Sequence, residues 1–131
     1  MIYKKSWKYI LIKEDSYWCI TKKFYRLKAL KNFSDVSKDE LGGYIQHSYN
    51  LSQKGNCWVY YNAWVSGDAH VTGNAQVFGS ACVIDNAKVY GESQIYGHAV
   101  IKDNAIVEGN ARVYGTAVVH SNAIIIHGDF N

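Results

Sequence analysis

The sequence lacks the features that mark several common classes of protein. No stretch approaches the roughly 18 consecutive apolar residues that a membrane span requires. Lysines interrupt the apolar start, Ile2 to Ile12, where a signal peptide would need its hydrophobic core. The 3 cysteines, Cys19, Cys57 and Cys82, form no CxxC pair, which argues against a disulfide framework and against a zinc knuckle. We therefore expect a cytoplasmic protein with reduced thiols and no contact with membranes.

Motifs for common cofactors are also missing. The glycine patterns of P-loops and Rossmann folds do not occur between a strand and a helix, and the calcium-binding GGxGxD nonapeptide is absent. The spacing of His, Cys, Asp and Glu assembles no metal cluster. The sequence consequently predicts no cofactor and no metal.

Size and composition indicate one folded domain. The chain has 131 residues, too few for two independent cores and a linker. Hydrophobic residues make up 48% and charged residues 19%, so the chain can bury a core and is not a disordered tail.

From Val59 to Ile124 the sequence repeats every six residues without interruption. Each of the 11 hexads begins with Val or Ile, and position five is Ala in all but one, which carries Ser93. Such a unit suits a short strand and a corner, with positions one and five inside and positions two and six outside. Residues that tolerate positive φ are expected at corner positions three and four. They include Gly73, Gly91, Gly109, Asn86, Asn104 and Asn122.

This pattern resembles the hexapeptide repeat of left-handed parallel β-helix proteins. Three hexads make one triangular coil in that family, so the resemblance implies about 3.7 coils here, spaced about 4.8 Å apart. The expected fold is all-β: a short single-stranded left-handed parallel β-helix with an N-terminal antiparallel β cap. The resemblance also implies a homotrimer, because proteins of this family commonly pack around a threefold axis.

A second resemblance lies in the segment Leu41 to Val65. It is similar to uncharacterised phage, prophage and bacterial hexapeptide-repeat proteins that share a Gly-Gly-aromatic start followed by Asn-Leu-Ser-Gln-x-Gly-x-x-Trp. The matching residues are Gly42, Gly43, Tyr44, Asn50, Leu51, Ser52, Gln53, Gly55 and Trp58. Such proteins are often labelled transferases, but the label comes from their fold and carries no settled role.

The first part of the chain has a different character. Residues 1–52 are predicted as a basic, aromatic-rich β cap and connecting segment, and residues 53–131 as the β-helix, within one compact unit. The first 40 residues have a net charge of +5 and the others −2. Residues 7–12, 17–21 and 24–30 are predicted strands of a hairpin or meander, with a turn at residues 14–16 and a loop or helical turn at 34–43. In residues 53–58, a degenerate first hexad, we expect Cys57 to point inward.

Stacking every eighteenth residue sorts the outward positions into columns, and only one group of columns is apolar throughout. It holds Tyr60, Phe78, Tyr96 and Tyr114 at position two, and Trp64, Cys82, Val100 and Val118 at position six. Two interpretations are open. Either the N-terminal segment folds over this edge, or the edge is a contact surface for a homo-oligomer or a macromolecular partner.

Histidines and lysines supply the other candidate sites. If the protein were an enzyme of the acyltransferase kind, its general base would be His70, His98 or His120, but none has a carboxylate in register and no inserted loop builds a pocket. We therefore expect no catalytic residue. A basic patch interleaved with aromatic residues could bind nucleic acid or an acidic protein, although alternation in a strand with one wet face explains it as well. The patch contains Lys4, Lys5, Lys8, Lys22, Lys23, Arg26 and Lys28.

These observations favour non-catalytic recognition by a homo-oligomer of phage or prophage type, which blocks a host macromolecule in counter-defence. A protein partner is expected rather than a nucleic acid. Two alternatives remain: an acyltransferase-like trimer that uses coenzyme A, and a nucleic-acid or nucleotide binder that works through Lys and aromatic residues.

Overall fold

The computed structural model describes residues 7–131, and its regular elements there are strands apart from one 3-10 helix at Ser48–Asn50. The strands are β1 (Tyr9–Cys19), β2 (Lys22–Ala29), β3 (Leu41–Ile45), β4 (Trp58–Val59), β5 (Trp64–Val65), β6 (His70–Val71), β7 (Gln76–Val77), β8 (Cys82–Val83), β9 (Lys88–Val89), β10 (Gln94–Ile95), β11 (Val100–Ile101), β12 (Ile106–Val107), β13 (Arg112–Val113), β14 (Val118–Val119), β15 (Ile124–Ile125) and β16 (Asp129–Phe130). In this part of the chain no helix is long and apolar enough to cross a membrane.

The two-residue strands stack in parallel on three faces. The first face contains β3, β5, β8, β11 and β14, the second β4, β7, β10, β13 and β16, and the third β6, β9, β12 and β15. Partners lie eighteen residues apart along the repeat, as in Trp64 with Cys82 and Cys82 with Val100. The chain is therefore an all-β parallel solenoid of about five turns, as predicted. The stack exceeds the expected 3.7 coils because β3 and β16, outside the strict repeat, also join it. The left-handed sense stays a prediction.

The core follows the hexad. Every position-one residue from Val59 to Val119 is buried, and so are the position-five residues from Ala63 to Ala111. Ser93, the exception among the alanines, is buried as well, and its hydroxyl donates to the Tyr90 carbonyl at 2.8 Å. Cys57 points inward as predicted. Alternation along two-residue strands thus places Val, Ile and Ala inside the solenoid.

Positive φ occurs at only one of the two predicted corner positions. In the second to eleventh hexads it falls at position three: Gly67, Gly73, Gly79, Asp85, Gly91, Gly97, Asp103, Gly109, Gly115 and Ser121. The prediction for Asn86, Asn104 and Asn122 at position four was wrong. Aspartate is suited to the left-handed conformation because its carboxylate can bond to nearby backbone. Asp85 accepts from the Asp103 N–H at 3.1 Å, and Asp103 from the Ser121 N–H at 2.8 Å.

The N-terminal hairpin extends the first face of the solenoid. Strand β2 pairs antiparallel with β1 and with β3, which confirms the antiparallel cap. The turn predicted at residues 14–16 is instead an irregularity inside β1, between Ile12 and Ser16, and the chain reverses at Ile20 and Thr21. The reason is that the Asp15 side chain bonds to Arg26 and Tyr44, so this segment stays attached to the sheet.

Residues 30–57 join the hairpin to the solenoid. Residues 34–40 form the predicted loop, closed by a bridge between Phe33 and Val36, whereas residues 41–43 begin β3. Strand β3 pairs in parallel with β5, and Leu51 bridges in parallel to Val71. Residues 41–52 therefore stack on the first turn of the strict repeat.

Candidate functional site

Hydrogen bonds between successive turns give the solenoid two chemically different ends. At positions two, four and six the backbone N–H donates to a carbonyl of the following turn, as from Tyr60 to Val77 at 2.8 Å and from Phe78 to Ile95 at 2.9 Å. The carbonyls of the first turn have no earlier turn to supply their donors. Because an unpaired buried carbonyl is costly, the cap must provide those donors.

Three polar side chains supply many of them. The Asn50 amide donates to the carbonyls of Gly67 and Ala69 at 3.1 and 2.8 Å. Its oxygen accepts the N–H groups of Gln46 and His47 at 3.1 and 2.7 Å, which closes the corner before the 3-10 helix. Asn50 is fully buried and makes four bonds, so it joins the connecting segment to the first turn.

Lys8 provides the donors at the start of β4. Its side chain is 1% exposed, and Nζ donates to the carbonyls of Cys57 at 2.6 Å and Gly55 at 3.3 Å. Nζ also lies 3.3 Å from the Cys57 thiol. Burial lowers the pKa of Lys8 and raises the pKa of Cys57. Lys8 therefore does not belong to a surface basic patch.

Arg26 likewise donates hydrogen bonds to backbone carbonyls beside β3. Its guanidinium donates to the carbonyls of Gly42 and Tyr61, each at 2.9 Å, and pairs with Asp15 at 3.2 Å. The rings of Tyr44 and Tyr61 lie 4.1 and 3.9 Å from it. Arg26 is buried as well, because alternation in β2 directs it towards these carbonyls rather than to solvent.

Three other members of the predicted basic patch lie on β2 and have different surroundings. Lys28 lies 3.8 Å from Asp39, and the Lys23 ammonium lies over the rings of Trp18 and Tyr25. Lys22 is half-buried. Lys4 and Lys5 lie outside the described residues.

The cap also seals the apolar side of the first turn. Trp58, at an outward position of β4, is fully buried between Tyr9 and Phe33, with ring centroids 6.2 and 5.2 Å away. A Cβ on Gly42 would come within 2.6 Å of the indole, so glycine is required there for the chain to pass. Gly43 is required for another reason, because a Cβ there would clash with the carbonyl oxygens of Ala63 and Tyr60.

The predicted position-two column forms a stack of aromatic rings from Phe78 to Tyr114. Phe78 and Tyr96 are 4.7 Å apart with planes 5° from parallel, and Tyr96 and Tyr114 are 5.1 Å apart at 9°. Beside them, Val100 is half-buried and Val118 is 50% exposed. We call these five residues the aromatic strip.

The cap covers the first rung of this edge. The Tyr60 hydroxyl donates to Asp35 at 2.6 Å, and Phe24 packs edge-on against Trp64 at 5.6 Å. The interpretation that the N-terminal segment folds over this edge thus holds for Tyr60 and Trp64. The interpretation of the edge as a contact surface stays a prediction for the aromatic strip.

The three candidate histidines lie apart along the solenoid. His70 is on β6, 5.5 Å from the Tyr49 ring, His98 is exposed at a corner, and His120 follows β14 with Nδ1 2.8 Å from the Ser121 hydroxyl. Within residues 7–131 none of them is hydrogen-bonded to a carboxylate, and no group of side chains there could hold a metal ion.

A cleft that the sequence does not predict lies between the cap and the first turn. It is lined by Trp7, Lys31, Asn32, Phe33, Gln53, Lys54, Gly55 and Asn56 and has a volume of about 770 Å³. We call it the cap cleft. No sequence signal marks it, because its walls come from three separate segments.

Comparison with known proteins gives neither a matching family model nor a matching curated protein. The class of the protein, a capped parallel β-solenoid, therefore rests on its own geometry.

Proposed function

We propose that this chain is a non-catalytic recognition protein that works as a homotrimer, with the aromatic strip as the surface through which its subunits associate. The observation that carries the proposal is the parallel stack of the half-buried rings of Phe78, Tyr96 and Tyr114. A contiguous apolar surface on a monomer usually marks a contact site.

The strip has the properties of an interface. Tyr and Phe bring large contact areas with few rotatable bonds, and parallel stacking fixes their orientation before any partner arrives. Val118 adds exposed apolar surface at one end of the strip. A ring column parallel to the solenoid axis would meet two copies of itself along a threefold axis, which is the arrangement the family resemblance implies.

The remaining surface supports binding rather than chemistry. The hexads from Val59 to Ile124 admit no insertion, so the faces of the solenoid are regular and carry no loop that would enclose a small substrate. Phage origin, a cytoplasmic address and the blocking of a host protein complete the proposal. The phage origin and the blocking of a host protein are supported by the resemblance of the segment from Leu41 to Val65.

Light scattering of the wild-type chain and of Tyr96→Ser tests the proposal. We expect about three times the chain mass of 14.8 kDa for the wild type and a monomer for the variant, which removes the central ring of the strip. Tyr90→Ser is the matched control, because Tyr90 is a half-buried tyrosine outside the strip, bonded to Glu108 at 2.9 Å.

A monomeric wild type would overturn the proposal. So would a trimer that persists in Tyr96→Ser. Circular dichroism of each variant shows whether the solenoid is still folded, so a loss of assembly is not confused with unfolding.

A further inference from the structure

The sheet that contains the first face of the solenoid ends, at the cap, in a long edge strand. Strand β1 pairs with β2 on one side, and among residues 7–131 no other strand pairs with it on the opposite side. An exposed edge of this length offers backbone groups to which a further strand can bind. The free edge of β1 is therefore a candidate surface for an extended segment of another chain.

Contacts of Gln53 show which backbone groups of β1 face this edge. The Tyr9 N–H donates to the Gln53 side-chain oxygen at 3.2 Å, and the Tyr9 carbonyl accepts from the Gln53 amide at 3.1 Å. Ala29, the partner of Tyr9 on β2, also bonds away from β1, since its N–H donates to the Glu40 carbonyl at 2.9 Å. Residues two apart in an antiparallel strand point their backbone groups the same way. The N–H and the carbonyl of Leu11 therefore face the free edge too.

A groove lies beside these backbone groups. Its volume is about 620 Å³, and its walls come from β1, β2 and the segments on either side of the 3-10 helix. They include Ile10, Leu11, Lys13, Tyr25, Gln46 and His47. We call it the edge groove. Because side chains alternate between the faces of a strand, a strand added to β1 would direct every second side chain towards the face where the groove lies.

The charge in the edge groove has one sign. Lys13 is exposed and forms none of the ion pairs found among the described residues, and no Asp or Glu occurs among the described residues that line the groove. The neighbouring Asp15 is bonded to Arg26 and Tyr44. An acidic side chain is thus the one that complements Lys13.

We propose that the free edge of β1, beside the edge groove, binds an extended acidic segment of a partner protein by strand addition. The segment continues the row of partners that Gln53 begins and exchanges hydrogen bonds with the backbone of Leu11. One of its apolar side chains enters the edge groove, and a carboxylate meets Lys13. Main-chain hydrogen bonds supply the affinity in this mode, and the pocket supplies the sequence preference. The inference rests on the proposed recognition of a protein partner and names the kind of segment recognised.

Synthetic peptides test this surface on the full chain. The probes are fluorescein-labelled peptides of seven residues in which Val, Phe or Tyr alternates with Thr and one Thr is replaced by Glu or by Lys. By fluorescence anisotropy we expect the Glu peptides to bind with dissociation constants below about 1 mM, and the Lys peptides about fivefold or more weakly. Lys13→Glu should reverse this preference. Lys88→Glu, at an exposed position of the third face, is the matched control and should leave it unchanged.

Backbone methylation of the tightest Glu peptide separates strand addition from other apolar binding. N-methyl groups on alternate residues give two series, of which one blocks the N–H groups that face β1 and the other those that face away. We expect the first series to bind about tenfold or more weakly and the second to stay within about threefold. Hydrogen exchange of the Leu11 N–H, followed by NMR, should slow by about tenfold or more when the unmethylated peptide is bound.

Three results would overturn the proposal: no peptide of the set binding below about 1 mM, equal losses in both methylated series, or a Lys13→Glu chain that still prefers Glu peptides. Lys13 is exposed, so the variant should fold, which its melting temperature checks. Peptide binding should persist in Tyr96→Ser. A trimer that binds no peptide would reject this site alone, whereas a monomeric wild type that binds the Glu peptides would reject the proposed assembly alone.

Discussion

The solenoid and the cap provide hydrogen-bond partners for their backbone groups in different ways. Between Val59 and Ile124 the strands of each turn pair with strands at equivalent positions eighteen residues away. The same backbone hydrogen bonds therefore recur many times. At the cap some of the corresponding carbonyls accept from backbone N–H groups, such as Val65 from Gln46 and Val71 from Ser52. Others depend on single side chains, chiefly Asn50, Lys8 and Arg26. Because the solenoid is regular, each of its polar contacts has equivalents in other turns. Each side-chain donor in the cap has no such equivalent.

The largest effect is expected from a charge inside the solenoid. Val89→Asp places a carboxylate among fully buried Val and Ala side chains and should lower the free energy of unfolding by about 4 kcal/mol or more. Urea unfolding followed by circular dichroism measures it. Lys88→Asp, the exposed neighbour on the same strand, should have little effect. If Val89→Asp is silent, the inward register is wrong.

Asn50→Ala tests the junction between the two regions. It removes four hydrogen bonds, two of them to carbonyls of the first turn, and should cost about 3 kcal/mol. Asn110→Ala, at an exposed corner, is the control.

Two probes can locate the loss in Asn50→Ala. All 4 tryptophans lie at or before Trp64, so their fluorescence reports the cap and the first solenoid strands that it covers, while circular dichroism also reports the later turns. We expect the unfolding midpoint measured by fluorescence to fall to a lower urea concentration than the midpoint measured by circular dichroism. Coincident transitions would show that cap and solenoid unfold as one unit.

Arg26→Met tests a donor within the cap. It keeps the apolar stem but leaves the carbonyls of Gly42 and Tyr61 without their donor, so we expect a loss of about 2 kcal/mol by urea unfolding. Lys28→Met, two residues along the same strand, breaks only the exposed contact with Asp39 and should change stability by less than about 0.5 kcal/mol. Equal losses in both variants would contradict the role of Arg26.

The smallest effect at neutral pH comes from Cys82. Burial raises the pKa of its thiol from 9.0 to about 11, so the folded state holds a proton that the unfolded chain releases. The contribution of the protonated Cys82 thiol to the free energy of unfolding is fully present below pH 9 and is lost as the pH rises to about 11.

Cys82→Val fills a similar volume beside Val100 and should therefore differ little at pH 7. Between pH 9 and 11 the wild type should lose about 2–3 kcal/mol relative to the variant, measured by urea unfolding at each pH. Parallel pH profiles for the two proteins would show that the thiol does not titrate in this way.

The accuracy of the sequence predictions differs between the same two regions. Val, Ile and Ala were placed inside, and Phe78 was stacked on Tyr96, because each hexad repeats one local environment. Lys8 and Arg26 were placed on the surface because alternation describes a sheet with one wet face. Their burial answers a need for donors that arises only when the first turn is formed. No local sequence pattern indicates where these buried donors are required.

The chain reversal and the cap cleft escaped prediction for related reasons. Charged and polar residues at 14–16 suggest a turn, but the contacts of Asp15 with Arg26 and Tyr44 come from residues distant in sequence. The cap cleft likewise joins Trp7, Phe33 and Lys54, which no period connects.

The eighteen-residue register makes the length of the molecule an evolvable quantity. Removal of residues 83–100 would join Cys82 directly to Ile101, and the side chains above and below the deletion would meet neighbours of the same kind. A tandem duplication of one such segment would add one turn and one further ring to the aromatic strip without altering either end. The protein can therefore lengthen or shorten in whole steps, with its contact area scaling in proportion while the cap and its cleft are inherited unchanged.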